Sequence, residues 1–196
     1  VMHGDVRELD WGALSQELGE QLTVYGNLPY YLSSEILLSL LEGPLSWQRA
    51  CFLVQLEFAQ RVCARPGARQ AGSISALTHL LTYPTILFQV PAGAFTPAPK
   101  VESAVMVLER RAQPAFDVGE GKAFRAIVKA LFAQRRKMAR GSLKSVFHEP
   151  ELLLERAGLN PTERGERFSL EQLARLSRCL VELRAQGPDP LEPLEP

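Results

Sequence analysis

Leu22-Thr23-Val24-Tyr25 is a run of β-forming residues, and Gly26-Asn27-Leu28-Pro29-Tyr30 follows it without a break. A strand that runs straight into a polar turn places that turn at its carboxyl end, where open α/β sheets bind their ligands. The turn carries usable chemistry. Asn27 offers a carbonyl acceptor and an amide donor. Pro29 fixes its own φ and has no N–H. Tyr30 offers a flat face on which a base can stack. After the turn, Ser33 or Ser34 can cap a helix. Ile36, Leu37, Leu40 and Leu41 give that helix an apolar face, and Gly43-Pro44 stops it.

Further strands are expected at Cys51–Gln55, Ile86–Val90 and Ala104–Leu108. Between them, helices fit a segment from about Glu57 towards Arg65 and the segment Ser75–Leu81, the latter ended by Tyr83-Pro84. This alternation implies a mainly parallel sheet covered by helices. Glu109–Phe116, with its charges and Pro114, reads as a linker. Beyond it no strand is evident: Lys122–Phe147 is one long helix or two, and Pro150–Ala157 and Ser169–Ala185 are two more. The expected organisation is an α/β domain over 1–111 and an all-α domain over 112–196.

Composition narrows the function classes. The 196 residues are 46% hydrophobic and 22% charged, which supports a sizeable core. No run approaches the roughly 18 apolar residues of a membrane span, and the opening Val1-Met2-His3-Gly4-Asp5 lacks the pattern of a secretion signal. Cys51, Cys63 and Cys179 are odd in number and form no CxxC pair, so a cytoplasmic protein without disulfide or metal site is expected. His3, His79 and His148 are scattered and read as structural or surface residues.

The 22 bases and 22 acids balance overall, but not locally. Lys122, Arg125, Lys129, Arg135, Arg136, Lys137, Arg140 and Lys144 follow one another with no acid between them. On one continuous helix, Arg125, Lys129, Arg136 and Arg140 would fall within about 60° of each other, opposite Phe124, Ile127, Leu131 and Met138. Such a stripe suits contact with RNA phosphates, which position RNA without reading its sequence.

Asn27-Leu28-Pro29-Tyr30 resembles the motif of adenine-N6 methyltransferases, in the form used by the ribosomal RNA adenine dimethylases. Four further segments carry the likeness, in family order. They are Val54-Gln55-Leu56-Glu57-Phe58-Ala59-Gln60-Arg61, Phe95-Thr96-Pro97-Ala98-Pro99-Lys100-Val101-Glu102-Ser103-Ala104-Val105, Phe132-Ala133-Gln134-Arg135-Arg136-Lys137, and Arg164-Gly165-Glu166-Arg167-Phe168-Ser169. Together they are most similar to the small-subunit, KsgA-type branch. The resemblance implies a Rossmann-like class I methyltransferase domain, with Val1 onward matching its C-terminal portion, and a small all-α C-terminal domain. It also implies that the family's glycine-rich cofactor loop would lie before Val1. Tyr31 and Gly141 depart from the family's usual residues.

The implied reaction is S-adenosylmethionine-dependent dimethylation of adenine N6 in 16S rRNA of the small ribosomal subunit, by a monomer during ribosome assembly. The implied catalytic set is Asn27, Leu28, Pro29, Tyr30 and Phe95. Asp5 and Asn27 would hold the cofactor, with Asp5 accepting from its adenine amino group. Arg125, Lys129, Arg135, Arg136, Lys137 and Arg140 would hold RNA. The exocyclic nitrogen is a poor nucleophile because its lone pair is delocalised. Two acceptors on its hydrogens, Asn27 Oδ1 and the Leu28 carbonyl, would favour a tetrahedral nitrogen and free that pair. Tyr30 and Phe95 would repay part of the cost of unstacking the base. Alternatives are a large-subunit rRNA dimethylase of the macrolide-resistance type, a non-catalytic RNA-binding assembly factor, and a DNA adenine methyltransferase.

Overall fold

The computed structural model describes residues 3–19, 21–43 and 47–186. The chain divides into two compact units, 1–63 with 77–114 and 64–76 with 115–196. The segment 64–76, expected in the first domain, thus groups with the second unit.

The first unit is built on a four-stranded sheet: β1 (Leu22–Asn27), β2 (Trp47–Gln55), β3 (Thr82–Val90) and β4 (Ser103–Arg110), in the order β1-β2-β4-β3. Helix α1 (Trp11–Leu18) precedes β1, α2 (Ser33–Glu42) joins β1 to β2, and α3 (Leu56–Cys63) and α4 (Ser73–Leu81) join β2 to β3. The division between the units falls inside α4. β1 and β2 are parallel, with Asn27 opposite Leu53. β4 lies antiparallel to both β2 and β3.

The expected mainly parallel sheet is therefore corrected to a mixed one: β1, β2 and β3 run the same way, and β4 is inserted against them. The physical reason lies between β3 and β4. A parallel return needs a crossover, usually a helix. The linking segment 91–102 holds only a short 3-10 turn at Ala92–Ala94 and three prolines.

β3 also begins earlier than expected. Pro84 does not close α4 but sits within β3, opposite Leu108. β3 is an edge strand, where a missing N–H is tolerated. The core beside the sheet comes from Ile36, Leu37, Leu40 and Leu41 of α2, Trp47, Phe52 and Val54 of β2, and Met106 and Leu108 of β4, all buried. Burial of each large side chain is worth about 1.5–3 kcal/mol. Trp47 Nε1 donates to the Leu40 carbonyl at 2.9 Å, so the indole N–H is not left unpaired.

The second unit is helical: α5 (Gly121–Ala133), α6 (Ala139–Ser142), α7 (Pro150–Arg156) and α8 (Leu170–Gln186). Ala123, Phe124, Ile127, Val128 and Leu131 of α5 are buried, as are Leu173, Leu176 and Leu180 of α8. Ser177 Oγ, fully buried, donates to the Val118 carbonyl at 2.7 Å. No helix among the described residues is long and apolar enough to cross a membrane.

The single basic stripe is corrected. α5 ends at Ala133, and Gln134 leaves helical geometry (φ −134°, ψ 64°). A turn follows, closed by Lys137 N donating to the Gln134 carbonyl at 2.8 Å, before α6 starts at Ala139. Arg125 and Lys129 thus share α5, whereas Arg136 sits in the turn and Arg140 in α6. Met138, expected on the packed face, is 46% exposed. It pairs instead with Arg164 as an isolated antiparallel bridge.

Candidate active site

Because β1, β2 and β3 run together, their carboxyl ends at Asn27, Gln55 and Val90 lie along one edge of the sheet. β4 enters at that edge, with Ser103 opposite both Gln55 and Val90. The motif turn, the start of α3 and the loop carrying Phe95 all leave from this edge. Sequence spacing of 68 residues between Asn27 and Phe95 is bridged by the pairing of strands alone.

The turn is held backbone first. Leu28 N donates to the Leu53 carbonyl at 3.0 Å, continuing the β1–β2 ladder past Asn27. The Leu28 side chain is 7% exposed and anchors the turn in the core. A Cβ at Gly26 would sit 3.2 Å from Leu28 Cδ2 and 3.6 Å from Phe52 Cδ1, so a side chain before Asn27 would press on the buried Leu28. The Pro29 carbonyl accepts from Leu32 N at 3.0 Å and from Ser33 Oγ at 3.0 Å. The expected capping role of Ser33 is thereby corrected. Ser33 is the first residue of α2 and its hydroxyl points back to Pro29, fixing the turn rather than the helix N–H groups.

Two acceptors remain unused by the described residues: the exposed Asn27 side-chain oxygen and the Leu28 carbonyl. Pro29 and Tyr30 complete the turn, Pro29 exposed and Tyr30 half-buried. The Tyr30 hydroxyl and Ser103 Oγ share a hydrogen bond of 2.7 Å, with Ser103 fully buried. This bond joins two segments 73 residues apart and holds the tip of the Tyr30 side chain in place. Sequence reasoning does not single out Ser103 as a functional residue; its place in the motif around Phe95 is the available signal. Phe95 is half-buried, and its N–H donates to the Ala92 carbonyl at 3.2 Å. Tyr30→Phe is expected to leave the fold intact and lower kcat for transfer about three- to tenfold, because the ring loses its anchor; Ser103→Ala should match it. Equal kcat in Tyr30→Phe and the parent chain would remove the anchor from the mechanism.

Asp5 lies beside the site's flank rather than in the turn. It precedes a 3-10 turn at Val6–Glu8 and borders a cleft of about 460 Å³ lined by His3, Gly4, Asp5, Val6, Glu8 and Leu9. Its Oδ1 accepts from Arg7 N at 2.9 Å and Arg7 Nε at 3.0 Å, and its Oδ2 from Arg7 Nε at 3.0 Å and Nη2 at 2.5 Å. Arg7 Nη1 reaches Glu35 in the first turn of α2 at 2.8 Å. The side-chain hydrogen bonds from Arg7, then its backbone N–H, lower the Asp5 carboxyl from 3.8 to about 2. Since this pKa is depressed on folding, the associated stability is present above about pH 3.8 and is lost as pH falls towards 2. Arg7→Ala should return the Asp5 titration to the ordinary carboxylate range, read by NMR of the carboxyl carbon.

The second unit places the basic residues separately. Arg125 and Lys129 are exposed on α5, and Arg140 approaches Glu151 at 3.9 Å. Arg136 and Lys137 are exposed around a cleft of about 580 Å³ lined by Ala133 to Lys137. Arg135 is different: its Nε is paired with Glu166 and its Nη2 donates to the Arg69 carbonyl at 2.6 Å.

A family profile described as ribosomal RNA adenine dimethylase matches residues 1–182. The "Ribosomal RNA small subunit methyltransferase A" of Caldanaerobacter subterraneus subsp. tengcongensis is 36% identical over 185 residues, covering 92% of this chain and 69% of the relative. The protein of the same name from Syntrophotalea carbinolica is 39% identical over 184 residues, with the same two shares. Among solved structures, the 23S rRNA methyltransferase ErmE matches with a TM-score of 0.59 and 28% identity, over 83% of this chain and 66% of that one. A dimethyladenosine transferase from Plasmodium falciparum matches with a TM-score of 0.67 over 85% of this chain and 68% of that one; at 17% identity it bears on the fold alone. The architecture is accordingly the Rossmann-like α/β type expected from the sequence, and the chain belongs to the ribosomal RNA adenine dimethylase family.

Proposed function

We propose that this chain carries the target-base site of an S-adenosylmethionine-dependent adenine-N6 dimethyltransferase acting on 16S rRNA of the small ribosomal subunit. The observation that carries the reading is the pair of unused acceptors, Asn27 Oδ1 and the Leu28 carbonyl, on a turn fixed by Leu53, Ser33 and Ser103. The relatives' names favour the small subunit, and ErmE marks the large-subunit alternative.

The residues present fit the cofactor. Asp5 is held ionised at the rim of a cleft, so it is an acceptor for the amino group of the cofactor's adenine. Arg7 fills both of its oxygens, and Glu35 gives Arg7 a second partner when one donor is withdrawn. Asp5 and Asn27 are the residues that would hold the group, which supplies an electrophilic methyl when bound.

The chain's own work is on the target base. Asn27 and the Leu28 carbonyl accept the two amino hydrogens and draw the nitrogen towards tetrahedral geometry as positive charge develops on it. No base of matched pKa is needed, because the alkylated nitrogen sheds its own proton readily. Tyr30, fixed through Ser103, and Phe95 offer faces for the unstacked base. Arg125, Lys129, Arg136, Lys137 and Arg140, exposed on the second unit, position RNA phosphates. The protein is read as a cytoplasmic monomer.

The test is transfer of labelled methyl from S-adenosylmethionine into small-subunit particles lacking the modification, with large-subunit RNA as control. Label in small-subunit RNA alone is expected. Label in large-subunit RNA alone would select the macrolide-resistance type, and salt-sensitive binding without any transfer would select an RNA-docking factor.

A further inference from the structure

Three segments far apart in sequence meet around Arg135. Its guanidinium pairs through Nε with Glu166 and donates through Nη2 to the Arg69 carbonyl at 2.6 Å. The Glu166 side chain is only 20% exposed. The backbone on either side is tied to the same neighbour: Ala139 N donates to the Glu163 carbonyl at 2.7 Å, Arg140 N to the Pro161 carbonyl at 3.2 Å, and Met138 bridges Arg164. On the far side of the knot, Gly67 (φ +91°) passes so close to Arg167 that a Cβ there would lie 3.1 Å from the Arg167 carbonyl oxygen. The turn between α5 and α6 is therefore fastened at both ends, and Arg135, its side chain 44% exposed, has its guanidinium engaged by Glu166 and the Arg69 carbonyl. Arg136 and Lys137 face solvent and find no acidic partner among the described residues.

We propose that Arg135 is a positioning residue and not a phosphate contact: its fork joins Glu166 to the Arg69 carbonyl and sets the turn on which Arg136 and Lys137 meet the RNA backbone. This rests on the RNA-binding reading above. Glu166 then serves binding although it carries the charge of the ligand. An acid near a nucleic-acid surface ordinarily weakens binding, so its removal should strengthen it. In this turn, removal frees the backbone and should do the reverse.

Glu166→Gln and Arg135→Lys are compared with the parent chain in two measurements. The first needs no RNA: hydrogen exchange at Lys137 N and Ala139 N should quicken about tenfold or more in both variants, with Phe124 and Leu173 in the flanking helices unchanged. The second is the salt dependence of binding to small-subunit RNA. Glu166→Gln should weaken binding about three- to tenfold, and its slope should fall by about two, the contribution of Arg136 and Lys137 together. Arg135→Lys keeps the charge but loses the two-pronged fork, and should behave likewise.

Tighter binding by Glu166→Gln, full binding by Arg135→Lys, or unchanged exchange at Lys137 and Ala139 would each overturn the positioning role. Failure of the parent chain to bind RNA would instead refute the RNA-binding reading. The exchange result would then still report whether the fork holds the turn.

Discussion

Asn27→Ala is expected to lower kcat/KM for methyl transfer by about two to three orders of magnitude, the cost of removing one aimed hydrogen-bonding group from a site where charge develops. Affinity for RNA should stay within about twofold if, as proposed, the phosphates are met by the exposed bases of the second unit. The fold should be untouched as well. The Asn27 side chain is exposed and holds no hydrogen-bond partner among the described residues, while the turn around it is fixed by the Leu28 N–H, the Pro29 carbonyl and the buried Leu28 side chain. The remaining acceptor, the Leu28 carbonyl, therefore stays in place, and residual activity should report one acceptor working alone. Asn27→Asp keeps an acceptor and adds a negative charge at a nitrogen becoming positive, so it should retain more activity than Asn27→Ala. Single-turnover rates with cofactor saturating separate this from a binding defect. A rate in Asn27→Ala above about a tenth of the parent's would sink the two-acceptor mechanism.

The site is legible in the sequence where its signal is local. Strand β1, the glycine before Asn27 and the apolar face of α2 follow from residues a few positions apart, and the structure keeps them together. Strand direction is not local: the pattern of Ser103–Arg110 is the same whichever way the strand runs, so β4 reads as one more parallel strand. The break after α5 is hidden for a different reason. Arg136, Met138 and Arg140 continue the helical phase of Arg125 and Phe124, and neither proline nor glycine interrupts before Gly141. What ends the helix is tertiary: Glu166 draws Arg135 away, and the backbone of Met138 and Ala139 pairs with Arg164 and Glu163. In sequence, Tyr30 and Ser103 belong to separate motifs, as do Arg135 and Glu166. Only the fold shows that the motifs are joined in pairs, 73 and 31 residues apart.

Gly165→Ala should show how far that joining depends on close packing. Gly165 is buried, and a Cβ there would lie 2.9 Å from both Leu131 Cγ and Cβ and closer still to Leu131 Cδ2. The outer methyl could rotate away, but the Leu131 Cβ is fixed to the backbone of α5, and Leu131 is 1% exposed with little space around it. Gly165 is absent from the positive-φ glycines, so the requirement is room rather than backbone freedom. Overpacking of this kind costs about 1–3 kcal/mol and sometimes more, enough to lower the melting temperature by roughly 3–10 °C in a chain of this size. Leu131→Ala alone should cost about 2–5 kcal/mol through the cavity it leaves. If the two side chains compete for one space, the double variant should be less destabilised than the sum by at least about 1 kcal/mol. Strict additivity would mean that the close approach of Gly165 to α5 does not govern stability. Gly165 also directly precedes Glu166, so any outward shift of this segment pulls the carboxylate from Arg135. Gly165→Ala should therefore weaken RNA binding beyond its effect on stability, and Leu131→Ala in the same chain should restore part of both.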